Sequence, residues 1–247
     1  MDEYDTPYSL HIFLSTITPF CTFENTVGSQ KVTIPNLITL TDPRSAAAEA
    51  YRTLRTTLMF SSVENPIQTL LVTSAVDGEG KSDALANLAV TFAQAGNKTI
   101  LVDADMRRPS QHAIWHIDNY GLTTMMIDDA SLSNPPLVES GIENLLVLAA
   151  GEEPPNPADL LSSKRMNEII GILKARATYV LFDSPPVLAA TDAALLGVKV
   201  DGALLVVKAG QSRRDQTSQA RDRLEQVNVR VVGAVLTNAA RESRKAY

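Results

Sequence analysis

The sequence predicts an α/β fold, a mostly parallel sheet flanked by helices on both faces and built around a phosphate-binding loop. Three observations predict it. An apolar run, Ile67 to Val72, leads into Thr73-Ser-Ala-Val-Asp77-Gly78-Glu79-Gly80-Lys81-Ser82, and a helix-patterned run, Ala84 to Ala95, follows at once. Beyond it, strand-like and helix-like segments alternate along the chain. The strand-like runs are continuously apolar rather than alternating, as in strands covered on both faces.

Residues 1–43 are mixed and polar, punctuated by Pro7, Pro19, Pro35 and Pro43, and show no sustained period. They are expected to form an arm or linker. The domain is expected over 44–240. It opens with a helix over Ser45 to Met59, with Tyr51, Leu54 and Leu58 at helical spacing and Glu49, Arg52 and Arg55 three apart along one side. Further strands are expected at Thr99–Val102, Leu145–Leu148, Tyr179–Phe182, Ala203–Val207 and Val229–Leu236. Helices are expected at Lys164–Ala175, Thr191–Val198 and Arg213–Val227, and Glu152-Glu-Pro-Pro-Asn-Pro157 reads as a loop entering a helix. Residues 241–247 read as a flexible tail.

The loop is where chemistry is first legible. Gly78 and Gly80 let the backbone bend close to a polyphosphate, so that N–H groups across Asp77-Gly78-Glu79-Gly80 and the positive end of the next helix face its oxygens. Lys81 adds a point charge on the β- and γ-phosphates, and Ser82 offers a hydroxyl to Mg²⁺. The motif is a relaxed P-loop, with Ala75 where its first glycine usually stands. The fold it belongs to is that of the P-loop NTPases.

Two other strand ends carry carboxylates. Ile100-Leu-Val-Asp103-Ala-Asp105-Met-Arg107-Arg108-Pro109 ends one, and Tyr179-Val-Leu-Phe-Asp183-Ser-Pro-Pro186 another. A carboxylate leaving a buried strand is costly unless it meets a cation or donors, and Mg²⁺ is the candidate. Strand alternation points Asp103 and Asp105 the same way. Arg107 and Arg108 suit a phosphate, an acidic substrate tail, a neighbouring subunit or a solvated turn.

Composition narrows the function. The chain has 247 residues, 45% hydrophobic and 20% charged, enough for a substantial core. Net charge −6 and pI near 5.1, with no basic face along the chain, argue against a nonspecific nucleic-acid binder. The single cysteine, Cys21, is compatible with a reducing cytoplasm. The apolar stretch Leu10 to Phe23 is too short and too interrupted to span a bilayer, and it lacks the basic start of a secretory signal. His112 and His116 lack the partners of a zinc enzyme and are expected on the surface or in packing, with Trp115 against the sheet.

Taken together, A-x-x-x-G-E-G-K-S, V-D-A-D-M-R-R-P, F-D-S-P-P and E-A-Y-R-T-L-R, in this order and spacing, resemble the cytoplasmic kinase domain of the bacterial tyrosine kinases that govern capsule and exopolysaccharide synthesis. Pro154-Pro-Asn-Pro-Ala-Asp-Leu-Leu161 and Val232-Gly-Ala-Val-Leu-Thr-Asn238-Ala match as well, and the resemblance covers about 36–240. It implies ATP and Mg²⁺ as cofactors, with Asp183 on the metal, Asp105 in its shell and Asp103 as base for a tyrosine hydroxyl. Asn238 then lies where related ATPases contact adenine. Glu49, Arg52 and Arg55 match a helix that builds a ring-like homo-oligomer, and the expected partner is a transmembrane polysaccharide co-polymerase-type activator or a membrane segment fused to the kinase. The implied place is the inner face of the plasma membrane.

Two departures stand out. Asp83 replaces a hydroxyl residue that touches the α-phosphate. Like charges about 4 Å apart cost on the order of 4 kcal/mol at an effective dielectric of 20, so Asp83 either turns aside or weakens nucleotide binding. Where the family carries a terminal tyrosine cluster this sequence shows Tyr247: either the cluster has been removed, the chain relies on Tyr247 as the candidate phosphoacceptor, or its target lies elsewhere. Competing readings are a non-catalytic nucleotide-binding scaffold and an ATPase switch of the same fold. Val76 argues against the switch, since those ATPases usually carry a lysine five residues before the P-loop lysine.

Overall fold

A computed structural model of the chain describes residues 35–60 and 65–239. The chain divides into Met1–Lys31 and Val32–Tyr247, and the fold described belongs to the second unit. Cys21, Leu10 to Phe23, Tyr247 and the tail expected over 241–247 lie outside the described residues.

Seven strands form one sheet among the described residues: β1 (Thr69–Ser74), β2 (Thr99–Asp103), β3 (Val138–Glu139), β4 (Leu145–Leu148), β5 (Tyr179–Asp183), β6 (Gly202–Lys208) and β7 (Val231–Thr237). Their order is β3-β4-β2-β5-β1-β6-β7, parallel throughout except for the β3–β4 pair. The helices are α1 (Ile38–Thr41), α2 (Ala46–Phe60), α3 (Lys81–Gln94), α4 (Gln111–Trp115), α5 (Leu122–Ile127), α6 (Ala130–Ser133), α7 (Pro157–Ser162), α8 (Lys164–Lys174), α9 (Asp192–Gly197) and α10 (Arg214–Gln226).

The continuous apolar runs split by alternation into two cores. Leu71, Ile100, Val102, Val180, Phe182 and Leu205 face a layer containing α5, α8, α9 and α10. Leu70, Val72, Leu101, Leu181, Leu204 and Val206 face the layer of α1 to α4. Each fully buried large apolar side chain contributes about 1.5–3 kcal/mol, which is why both faces of β1 and β5 are apolar. Residues 84–93 of α3 are all buried, because the sheet covers one side of the helix and α1 and α2 contribute to the packing around it. β7 departs from the expectation of strands buried on both faces. It sits at the edge with Leu236 57% exposed, since no strand lies beyond it among the described residues.

The segment read as the end of an arm packs on the domain from Pro35 onward. Leu37 is buried, and Thr39 donates its N–H and hydroxyl to Asn87 Oδ1 at 3.0 and 2.9 Å. A four-residue helix is too short to show a period, so the sequence carries no sign of it. The Pro-rich stretch matches its reading as a loop into a helix, with Asn156 flanking α7 and Pro157 in its first turn.

The sheet is closed at the entry to β1 by Asp201. Its Oδ2 accepts from Gln68 N–H at 3.0 Å, Thr69 N–H at 2.7 Å and the Thr69 hydroxyl at 2.8 Å, and its own N–H donates to Thr69 Oγ1 at 2.9 Å. Burial pushes this carboxyl's pKa up, but the donors of Thr69 and Gln68 and the Lys174 charge outweigh it and hold it below the ordinary value. A depressed carboxyl stabilises the fold above its unfolded pKa, near 3.9, and loses that contribution as pH falls through the folded value. Asp201→Ala is therefore expected to lower stability by about 1–3 kcal/mol at neutral pH. Thermal melts at a series of pH values check this, and the gap to wild type should narrow below about pH 4.

Candidate nucleotide site

β1, β5 and β2 end side by side, and the site is built from the loops beyond them, as in open parallel sheets generally. The loop from Ala75 to Gly80 joins β1 to α3. Gly78 (φ 81°) and Gly80 (φ 80°) occupy the left-handed region, which costs other residues about 1–2 kcal/mol, and Gly80 sets the start of α3.

The loop is held by Glu79. Its buried carboxylate accepts from Ala75 N–H at 2.8 Å and Val76 N–H at 3.1 Å, and its other oxygen meets the Ser212 hydroxyl. Thr237 Oγ1 donates to Glu79 O at 3.1 Å and Lys208 Nζ to Gly78 O at 3.1 Å. Both carboxylate oxygens of Glu79 are thus spent inside the protein, and what Glu79 retains for a phosphate is the backbone N–H on which the loop reading rests. The Asp77 side chain is exposed and pairs with Arg108 Nη1 at 3.1 Å.

Lys81 Nζ lies 2.8 Å from Asp105 Oδ2, 3.5 Å from Asp183 Oδ1 and 3.4 Å from Ser82 Oγ. Asp103 stands beside Asp183 in the β2–β5 register. Asp103 and Asp183 are wholly buried and Asp105 nearly so. Burial depresses the Lys81 pKa, but Asp183, Asp105 and Asp103 overcome that and leave it raised. Burial, and then the charge of Asp183, push Asp103 up to about 7 against the N–H groups of Gln111 and Ser110. Asp183 is likewise raised by burial, with Lys81, Ser82 and Gln111 opposing. Three buried carboxylates thus share one ammonium, and the site lacks positive charge.

Sequence reasoning missed Gln111. Its N–H donates to Asp103 Oδ2 at 2.9 Å, its side-chain amide donates to Asp183 Oδ2 at 2.8 Å and Ser82 O at 3.1 Å, and its amide oxygen accepts from Trp115 Nε1 at 3.1 Å. A glutamine opening a five-residue helix has no signature in a single sequence. Arg107, left open between several partners, makes a two-point pair with buried Asp192 at 2.8 and 2.9 Å, tying the loop after β2 to the start of α9.

No family model matches the chain. The tyrosine-protein kinase YwqD of Bacillus subtilis (strain 168) is 39% identical over 213 residues, covering 86% of this chain and 90% of its own. The putative tyrosine-protein kinase CapB of Staphylococcus aureus is 36% identical over 222 residues, covering 90% of this chain and 97% of its own. The chain belongs to the bacterial tyrosine kinases. Among solved structures, the kinase domain of the Escherichia coli tyrosine kinase ETK is similar, with a TM-score of 0.80 and 32% identity over 87% of this chain and 84% of that one.

Membership in this kinase family carries nucleotide binding with a divalent metal, and the donors fit one. Ser82 Oγ, Asp105 and Asp183 present oxygen atoms to a single cationic point, now the Lys81 ammonium. Among the described residues no group of three or more His, Cys, Asp or Glu is disposed to hold a metal alone. Such a set suits a hard cation that takes its remaining ligands from phosphate and water.

Around the kinase site, Asn238 (φ 53°) follows β7 and lines a cavity of about 690 Å³ with Tyr51, Ala46, Ala50 and Thr237. Thr237 also bonds the P-loop, so this cavity adjoins it. Asp83 is exposed on the first turn of α3, where its charge, after burial, raises the pKa of half-buried Tyr51. On α2, Arg52 pairs with Glu49 at 2.7 Å and donates to Pro43 O. Arg55 does not share their exposed side: its Nη1 reaches inward to Thr91 O at 2.9 Å, at the carbonyl-rich end of α3. His112 and His116 lie in and just after α4, and Trp115 packs in the core beneath the sheet.

Glu79→Ala leaves the buried Ala75 N–H and the half-buried Val76 N–H without their acceptor, at about 1–3 kcal/mol for the buried one and less for the other. Calorimetric titration with ADP and Mg²⁺ is expected to show affinity reduced at least about tenfold, whereas Asp77→Ala, which loses only an exposed pair, stays within about twofold.

Proposed function

We propose that this kinase is an ATP:protein-tyrosine phosphotransferase that mainly phosphorylates copies of itself, in trans within a homo-oligomer, and so regulates capsular or exopolysaccharide polymerisation and export. The observation that carries the reading is the burial of Asp103, Asp105 and Asp183 at the P-loop lysine, which pairs with the last two. A scaffold that only holds nucleotide has no need of three buried carboxylates there.

In the proposed reaction the tyrosine oxygen bonds to the γ-phosphorus as the bond to the β,γ-bridging oxygen breaks. ADP leaves and the phenolic proton passes to Asp103. Lys81 and the loop N–H groups neutralise phosphate charge, and Ser82, Asp105 and Asp183 would hold Mg²⁺, which would supply further neutralisation of phosphate charge. Asp103 suits the base because its pKa, at about 7, lies near working pH. A carboxylate accepts about four hydrogen bonds. Asp103 receives three, from the N–H groups of Asp105, Ser110 and Gln111, which leaves room for one proton. Asn238 and its cavity take the adenine.

Glu49, exposed on α2, and the half-buried Arg52 paired with it support a contact between copies, with Tyr247 as candidate acceptor. The motif resemblance supports a capsule setting, in which a transmembrane co-polymerase-type activator holds the kinase at the inner face of the plasma membrane. No helix among the described residues is long and apolar enough to cross a membrane.

Incubation with Mg²⁺ and ATP, followed by mass spectrometry, should find phosphotyrosine in wild type and none in Lys81→Met. Nucleotide bound without phosphotyrosine would favour the scaffold. Asp103→Asn is expected to lower kcat by about 10²–10⁴-fold with ATP affinity changed less than about threefold. Arg52→Glu should shift the oligomer toward monomer in light scattering, with an unchanged melting temperature.

A further inference from the structure

We propose that Gln111 is a positioning residue for the metal–nucleotide site and that Trp115, hydrogen-bonded to it, reports the state of that site. This rests on the reading that Ser82 and Asp183 hold the metal and nucleotide. Gln111 is fully buried and, among the described residues, is the one side chain that hydrogen-bonds both the P-loop backbone, at Ser82 O, and the carboxylate at the end of β5, at Asp183 Oδ2. Its main-chain N–H holds Asp103 as well. One residue therefore fixes the spacing of three parts of the site that come from three separate strand ends.

The orientation of its amide is set from outside the site. A side-chain amide has a donor end and an acceptor end, and a flip would turn the amide oxygen toward the Asp183 carboxylate. Indole Nε1–H is a donor only, so Trp115 engages the amide oxygen and obliges the NH₂ group to face Asp183 and Ser82. With Oδ2 of Asp183 tied in this way, Oδ1 is the oxygen left facing Lys81 and any cation that joins it. Trp115 is 3% exposed and is the chain's single tryptophan, so all indole fluorescence comes from this position.

The test uses the full chain with ADP and Mg²⁺, so that no turnover intervenes. In wild type, Trp115 emission is expected to change on titration with Mg²⁺ and ADP and to saturate together with the heat of binding. Gln111→Met, of similar volume but without the donors, should lose that response. Its Mg²⁺ requirement at fixed ADP should rise by about 10–100-fold, the range seen when groups orienting metal ligands are removed, while metal-free ADP affinity changes by less than about threefold. If Gln111→Met melts below the working temperature, Trp115→Phe decides the matter: its calorimetric Mg²⁺ requirement should rise while its ADP affinity holds. A folded Gln111→Met with an unchanged Mg²⁺ requirement, or heat from wild type with silent Trp115 emission, overturns the proposal and leaves the nucleotide reading standing. No heat from wild type overturns that reading and this proposal together.

Discussion

The structure depends on one electrostatic constraint, the burial of Asp103, Asp105 and Asp183 around the ammonium of Lys81. Carboxylates in such a place are tolerated only when cations and donors surround them. The ends of β1, β2 and β5 must therefore lie abreast, with Lys81 reaching back from the first turn of α3. The order of the central strands and the left-handed turn at Gly80 both serve that placement. The helix that Gly80 begins is then buried over most of its length, so the charged site stands at the start of a helix packed into the core.

Supports for this cluster come from all sides of it. Gln111 and the N–H groups of Ser110 and Gln111 hold the carboxylates from the α4 side, while Arg107 fastens the same loop to Asp192. From the β7 side, Thr237 and Ser212 hold Glu79, which shapes the P-loop. The site is therefore sensitive to segments far apart in sequence, and its rigidity is shared among hydrogen bonds rather than vested in any one of them.

Much of the fold was legible because parallel strands buried on both faces must be continuously apolar. Leu145–Leu148 and the start of α8 at Lys164 coincide with the sequence reading, and the other long elements differ only at their ends. The strand-end aspartates were legible for a related reason, since a carboxylate at the end of an apolar run has few places to go but a charged site. What stayed hidden was short or cooperative. α1 and β3 have too few residues to show a period. Arg55 falls on helical spacing with Glu49 and Arg52, yet its length and the nearby carbonyl of Thr91 turn it inward, which spacing cannot register. Gln111 and Glu79 owe their roles to partners 29 and 133 positions away, at Ser82 and Ser212.

The charged residues sort by how much of their bonding capacity the fold consumes. Glu79 and Asp192 carry formal charge close to the site, yet both oxygens of each are occupied by Ala75, Val76 and Ser212 or by Arg107. They shape the site and have little left for a ligand. Asp105 is bound differently, with one oxygen on the Arg108 N–H and the other on Lys81, a side chain that can move. Among the described residues Ser82 Oγ meets Lys81 and Asp183. Capacity that is held by mobile side chains can be transferred to a ligand without breaking the backbone framework. By that measure Lys81, Ser82, Asp105 and the Lys81-facing oxygen of Asp183 have capacity to pass to a ligand, the proposed base Asp103 has one acceptor position left, and Glu79, Arg107 and Asp192 are spent on the framework.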